Sequence, residues 1–371
     1  MAETPVPIRY PRRRVQRTCA RWIGRLIFPL LTRTRVSGTE HFPEHGPLIV
    51  AGNHTAMIEA ALMIIYTPWQ LEMMGSGDLP PPPPLDVLAR FYGYTPINRG
   101  NADRQALRKM LHVLKQGGIV GVFPEGGIWD PGTKPAKRGV AWLSQRAQAP
   151  ILPIGFGGLE GAINAIFRLQ RPHLSMNVGQ VIPAVTFRSG VSRKDSLHEA
   201  AQKVMDEIMR LVPEQEKDHH PTAMDERFEL GIELQTEQGQ SVPLPEPGIP
   251  HAAALCKMIY RPAIVRVYAK DLNMPVQALQ HPGTVREPQQ VVQAVEPILA
   301  YLDQRNPAFL TYRFGANEGV AMEAGLRELL HVARYAAEAG YTMTMTAIRR
   351  YQLEASDTEI VESDPGQAHR W

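Results

Sequence analysis

Apolar residues along this chain fall into two patterns. The unbroken runs Leu48-Ile-Val-Ala51 and Ile119-Val-Gly-Val-Phe123 stop at Gly52-Asn53 and at Pro124, and suit strands buried on both faces. Elsewhere apolar positions recur at helical spacing. Residues 57–66 are apolar and Ala-rich up to Pro68, residues 85–92 read as a helix, and residues 101–116 carry Ala106, Leu107, Met110, Leu111 and Leu114 on one side before a Gly117-Gly118 stop. Strands are also expected at 71–75, 149–156 and 175–181, and helices at 139–147 and 196–211. This alternation predicts an α/β fold over residues 36–213, a mixed sheet flanked by helices, with ligands outside the carboxyl ends of its strands.

Residues 214–250 are charged and Pro-bearing and read as a linker. His219-His220 within it is expected to be solvated, because no second ligand pair has metal-site spacing. Residues 251–371 predict a mainly helical C-terminal domain: Val291, Val295, Ile298 and Leu302 share one face, and residues 317–340 form a second helix with cap residues at both ends. Nothing in this region names a reaction. The five prolines at 80–84 predict a stiff loop.

Charge changes the picture at the amino end. The formal net charge of the 371 residues is only +3, yet nine arginines and no acid lie between Arg9 and Arg35. On a helical wheel Arg14, Arg17, Arg21 and Arg25 fall on one side, and Val15, Cys19, Trp22, Ile23, Leu26, Ile27 and Leu30 on the other, until Pro29 disturbs the helix. Its apolar stretch is too short to span a bilayer and lacks a signal-peptide cleavage site. Residues 1–35 are therefore expected to lie in a membrane interface with the arginines on anionic lipid. Competing readings are a helix packed on the catalytic domain with solvated arginines, and an Arg-rich transit segment. Two cysteines far apart, Cys19 and Cys256, indicate neither a disulfide framework nor a zinc site. No nucleic-acid partner is expected.

The candidate chemistry sits where two buried strands end. His54 follows the first, and Glu59, five residues on, falls in the first turn of the next helix, where a carboxylate can orient the imidazole for proton transfer. Two plainer readings stand beside it: Glu59 complements the helix dipole, and Asn53-His54-Thr55 is a glycosylation sequon, although an apolar strand-to-helix turn leaves little room for a glycan. After the second strand, Gly126 and Gly127 would let backbone amides approach an anion or oxyanion.

These stretches resemble, in order, four motifs of the glycerolipid acyltransferases, the 1-acylglycerol-3-phosphate acyltransferase family. Asn53-His54 with an acid five residues after the His is similar to the first, though the family has Asp where this chain has Glu59, one methylene longer. Gly93-Tyr-Thr-Pro-Ile-Asn-Arg99 resembles the second, which implies that Arg99 binds the phosphate of the acceptor. Phe123-Pro-Glu-Gly126 resembles the third, which assigns Glu125 to acceptor binding and ordering of the site. The family usually continues Thr-Arg or Thr-Ser, whereas this chain reads Gly127-Ile128-Trp129, so the expected cation is missing. Lys137 and Arg138 resemble the family's basic residue before a Gly and are candidates to replace it, or else the solvated start of a helix. Residues 149–156 resemble the fourth motif, a Pro-bearing strand near the acyl pocket. No resemblance is evident from about residue 214 onward.

The resemblance implies an O-acyltransferase of phospholipid biosynthesis. His54 would act as general base and Glu59 as its partner, moving an acyl group from acyl-CoA or acyl carrier protein to the hydroxyl of a lysophosphatidate-like glycerolipid. It implies no metal or other cofactor, and a peripheral location on the cytoplasmic face of a membrane. Two rivals remain: a catalytically lapsed protein that only binds a lipid surface, and an acyltransferase with a different lipid acceptor.

Overall fold

The computed structural model describes residues 8–77, 85–97, 103–127, 136–187, 190–217, 223–353 and 358–367. The prolines at 80–84, Arg99 and His219-His220 lie outside them. The first part runs α1 (Arg14–Leu31), β1 (Arg33–Ser37), β2 (Leu48–Gly52), α2 (Ile58–Tyr66), β3 (Glu72–Ser76), α3 (Leu85–Tyr92), β4 (Thr95–Ile97), α4 (Arg104–Lys115), β5 (Ile119–Val122), α5 (Gly139–Ala147), β6 (Ile151–Gly157), α6 (Ala162–Phe167), β7 (His173–Val178) and α7 (Arg193–Leu211). Seven strands form one sheet in the order β1-β7-β6-β2-β5-β3-β4. Every pairing is parallel except β6 with β7, so the sheet is mixed and dominated by its parallel core.

The apolar runs are buried because helices cover both faces of that core. In β2, Leu48 and Val50 pack on one side with Leu62 and Met63 of α2, while Ile49 and Ala51 pack on the other with residues of α4, α5 and α7. The period of two along a strand thus feeds two separate cores. Pairing of β2 with β5 sets Ala51 beside Val122. The two strands end abreast, which puts the residues that follow them on one edge of the sheet.

Helix α1 is docked the opposite way round from the expectation. Arg17, Arg21 and Arg25 turn to the protein, while Arg14, at the start of the helix, is exposed. Arg17 is fully buried, pairing with the equally buried Glu72 at 2.9 Å and donating to the carbonyls of Tyr92 and Gly93. Arg21 and Arg25 donate to the carbonyl of Thr67, and Arg25 also to that of Ile65. These carbonyls belong to the carboxyl end of α2, where no intrahelical N–H remains to bond them. Gly24 makes the approach feasible, because a Cβ there would lie 2.6 Å from the Ile65 side chain. The apolar face is left outward, with Val15, Trp22, Leu26 and Leu30 each 62–72% exposed. Pro29 sits inside the last turn without ending the helix, since a proline that near the terminus forfeits only a late hydrogen bond.

The C-terminal part contains the expected helices and, in addition, a sheet. It runs β8 (Ala223–Gln235), β9 (Ser241–Val242), α8 (Ala252–Ile259), α9 (Pro262–Arg266), α10 (Gln277–Gln280), α11 (Pro288–Gln304), α12 (Phe309–Phe314), α13 (Ala316–Ala339), β10 (Thr342–Leu353) and β11 (Glu359–Glu362). The strands form an antiparallel sheet in the order β11-β10-β8-β9. Strand β8 thus occupies much of the stretch read as a linker. Its apolar positions Phe228, Leu230, Ile232 and Leu234 alternate with charges and pack on α8, α11 and α13 through one core. At the far end of the same inward face Arg349 is buried against Glu226, Glu362 and the ring of Tyr351.

The Arg17–Glu72 pair makes a direct prediction. Glu72→Gln leaves a buried guanidinium without its counter-charge and should lower the urea stability of the N-terminal domain by about 3–5 kcal/mol. Arg334→Ala, which breaks a solvent-exposed pair with Glu296, should cost less than about 1 kcal/mol.

Candidate active site

The site begins with a carboxamide that prolongs a ladder. Beyond Gly52, where β2 stops, the buried Asn53 side chain accepts from the backbone N–H of Phe156 at 2.7 Å and donates to its carbonyl at 3.2 Å. One side chain thus satisfies the backbone N–H and C=O of Phe156, groups that a longer β2 would have paired on β6. The chain is thereby released to turn, and His54 follows at the carboxyl edge of the sheet.

Three contacts fix His54. Its Nδ1 lies 3.1 Å from Oε1 of Glu59. Its backbone N–H donates to Oε1 of Glu125 at 2.9 Å. Its ring stacks on Phe123 with centroids 4.4 Å apart and planes at 13°. The side chain remains partly accessible, 19% exposed. A carboxylate facing Nδ1 draws the ring proton to that nitrogen, which leaves the lone pair on Nε2.

Glu59 is buried in the first turn of α2. Its Oε1 accepts from the backbone N–H groups of Thr55 and Ala56, both at 2.7 Å, as well as facing the imidazole. The side chain folds back over the turn that precedes its own helix, so the longer arm of a Glu is taken up by the two amides. Its Oε2 is buried with no hydrogen-bond partner, and the carboxylate is held through a single oxygen.

After β5 the turn at 123–126 supplies Phe123 and Glu125 on two sides of His54. The N–H of Gly126 donates to the carbonyl of Phe123 at 3.0 Å, which closes the turn. This corrects the expectation for that residue: its amide is engaged within the turn and is not aimed at an anion. Gly127 follows directly, at the last described position of the segment. The N–H of Lys137 donates to the carbonyl of Pro124, and its ammonium lies 4.5 Å from the centroid of the Tyr312 ring. Burial, then the positive charge of Arg313, push the Lys137 pKa below the ordinary lysine value. Arg138 is exposed just before α5.

The structure therefore gathers His54, Glu59 and Glu125 into one hydrogen-bonded group, holds Gly126 and Lys137 beside it, and leaves Arg138 on the surface. Asn53, Phe123 and Tyr312 join the site without having been singled out as site residues. Asn53 and Phe123 were legible only as strand ends and as members of the first and third motifs. Among the described residues no three His, Cys, Asp or Glu side chains converge as a metal site would require.

Comparison with known proteins adds a family. Residues 33–157 match the family model described as Acyltransferase. The 1-acyl-sn-glycerol-3-phosphate acyltransferase of Bacillus subtilis is 24% identical over 135 residues, which cover 36% of this chain and 67% of that protein. The enzyme of the same name from Borreliella burgdorferi is 25% identical over 122 residues, 32% of this chain and 49% of that protein. Among solved structures, the 1-acyl-sn-glycerophosphate (LPA) acyltransferase PlsC of Thermotoga maritima aligns with a TM-score of 0.40 at 19% identity, over 55% of this chain and 83% of that one.

The Asn53 contacts can be tested without any substrate. Asn53→Ala leaves the Phe156 N–H buried and unpaired, and should destabilise the domain to urea by about 1–3 kcal/mol.

Proposed function

Residues 33–157 belong to the acyltransferase family, and from that premise we propose that this chain transfers a fatty acyl group from a thioester, acyl-CoA or acyl carrier protein, to the free hydroxyl of a lysophosphatidate-like glycerolipid. The observation that carries this reading is the 3.1 Å contact between His54 Nδ1 and a buried Glu59, on a loop whose backbone is held by Glu125. The names of the two curated relatives support the choice of acceptor.

In the proposed reaction Nε2 of His54 takes the proton of the acceptor hydroxyl as its oxygen attacks the thioester carbonyl. The tetrahedral intermediate collapses by breaking the C–S bond, and the imidazolium returns its proton to the leaving thiolate. Glu59 stabilises the transient imidazolium and keeps the ring oriented. Glu125 stays an acceptor of the His54 N–H and orders the turn without taking a proton. Arg99 and Lys137 are the proposed cations for the acceptor phosphate. For Lys137, an anion at the site would offset the burial and the Arg313 charge that work against its protonation.

Attachment to a membrane is part of the proposal, since acceptor and product are lipids. No described helix is long and apolar enough to cross a bilayer. The outward face of α1 supports interfacial binding by a different force from the one the arginine stripe suggested. Trp22, Ile23, Leu26, Ile27 and Leu30 are exposed, and so are Val87, Leu88 and Phe91 of the neighbouring α3. Arg17 and Arg21, by contrast, are turned to protein carbonyls. Insertion of apolar side chains would then dominate over attraction to anionic headgroups.

Two experiments follow. With a panel of lysophospholipids and non-phosphorylated acceptors read by mass spectrometry, wild-type protein should acylate the phosphate-bearing acceptors, and His54→Ala should lose roughly 10²- to 10⁴-fold in turnover with its melting temperature retained. Near wild-type turnover in that variant would remove His54 from the mechanism, and an inactive wild type would favour the lapsed-site alternative. In flotation assays, binding to zwitterionic vesicles should persist when salt is raised, because apolar insertion is not screened as charge attraction is. A Leu26→Asp, Leu30→Asp double variant should lose it. Binding that needs anionic lipid and vanishes in salt would restore the arginines as the contact.

A further inference from the structure

Among the described residues, the C-terminal domain reaches the acyltransferase site through Tyr312. Tyr312, on α12, donates its hydroxyl to the carbonyl oxygen of Gly126 at 2.9 Å, across 186 positions of sequence. Its ring also carries the Lys137 ammonium on its face. The fit leaves no slack. Gly126 has φ +73°, and a Cβ built on it would lie 2.2 Å from the Tyr312 hydroxyl and 3.1 Å from Cγ of Lys137.

Helix α12 is itself anchored. Phe309 and Leu310 are buried in the C-terminal core, where the Phe309 ring meets Tyr268 and Tyr301. Gly319 of α13 lies against the backbone of Thr311, so closely that a Cβ would come within 2.4 Å of its nitrogen. Tyr312 therefore projects from a fixed element onto a turn that has two other duties: Glu125 holds the backbone of His54, and Phe123 stacks on its ring.

We propose that Tyr312 is a positioning residue for acyl transfer, through which the C-terminal domain holds the Phe123–Gly126 turn in the conformation that orients His54. The proposal rests on the acyl-transfer reading, and it gives the C-terminal domain a part in the site. The Tyr312 hydroxyl touches neither the imidazole nor its Glu59 partner. It acts by fixing the Gly126 carbonyl, which closes the third side of the turn.

The test uses the full-length chain on vesicles and the variant Tyr312→Phe, which removes the hydroxyl and keeps the ring under Lys137. Loss of one hydrogen bond that matters for orientation should lower kcat by about 3- to 10-fold while the KM for the thioester donor stays unchanged. The His54 backbone amide, observed by NMR in the same variant, should shift, since its acceptor is carried by the turn. Gly126→Ala gives an independent reading. Its cost in melting temperature should be smaller in the Tyr312→Phe background than in wild type, because the added methyl then meets no hydroxyl. A kcat equal to wild type together with an unmoved His54 amide would overturn the proposal. A wild-type chain inert toward every acceptor would overturn acyl transfer instead, and the amide shift and the Gly126→Ala coupling would still decide whether Tyr312 holds the turn.

Discussion

Parallel pairing of β2 with β5 is the constraint from which the site follows. Strands paired in that sense end side by side, so the loop after Gly52 and the loop after Val122 leave the sheet on the same edge. His54 and Glu125 are 71 residues apart in sequence and meet at 2.9 Å for this reason. Asn53 finishes the ladder on the other side by binding Phe156 of β6. Rigidity at the histidine thus comes from two flanking strands before any specialised contact is counted. Glu59 then adds orientation, using one oxygen to gather two amides and the ring.

Much of this was legible in the sequence because parallel strands buried on both faces are unbroken apolar runs, and their ends are marked by Gly, Asn and Pro. The positions of β2, β5 and α2, and with them the neighbourhood of His54, Glu59 and Glu125, were read from that signal. Strand β8 escaped the same reading. Its apolar residues Phe228, Leu230, Ile232 and Leu234 do alternate, but the intervening Glu229 and Glu233, and the run Asp225-Glu226-Arg227 before them, resemble a charged linker. Strand β10 hides a further ambiguity, since Arg349 continues the inward face of Met343, Met345 and Ala347 and is accommodated only because Glu226 and Glu362 come to meet it.

Helix α1 shows a different limit. Periodicity fixes the angle between an arginine side and an apolar side, but it does not say which one meets protein. That was decided by groups on two other elements: the carbonyls at the end of α2 and the buried carboxylate of Glu72 at the start of β3. The contact of Tyr312 with Gly126 had no signature at all. Nothing in a Phe-Leu-Thr-Tyr-Arg-Phe segment distinguishes a tyrosine that reaches another domain from one at an ordinary surface.

The mode of docking of α1 also bears on when the apolar face is on display. An amphipathic helix that hides its oily side until a signal releases it works as a recruitment switch. Here the side engaged with the protein is the charged one, and to swing α1 away would open the Arg17–Glu72 pair and take the guanidinium donors of Arg21 and Arg25 from the carbonyls of Ile65 and Thr67. The helix is therefore a fixture of the fold. Its oily surface is presented from the moment folding is complete, and no movement of this helix is needed to uncover it.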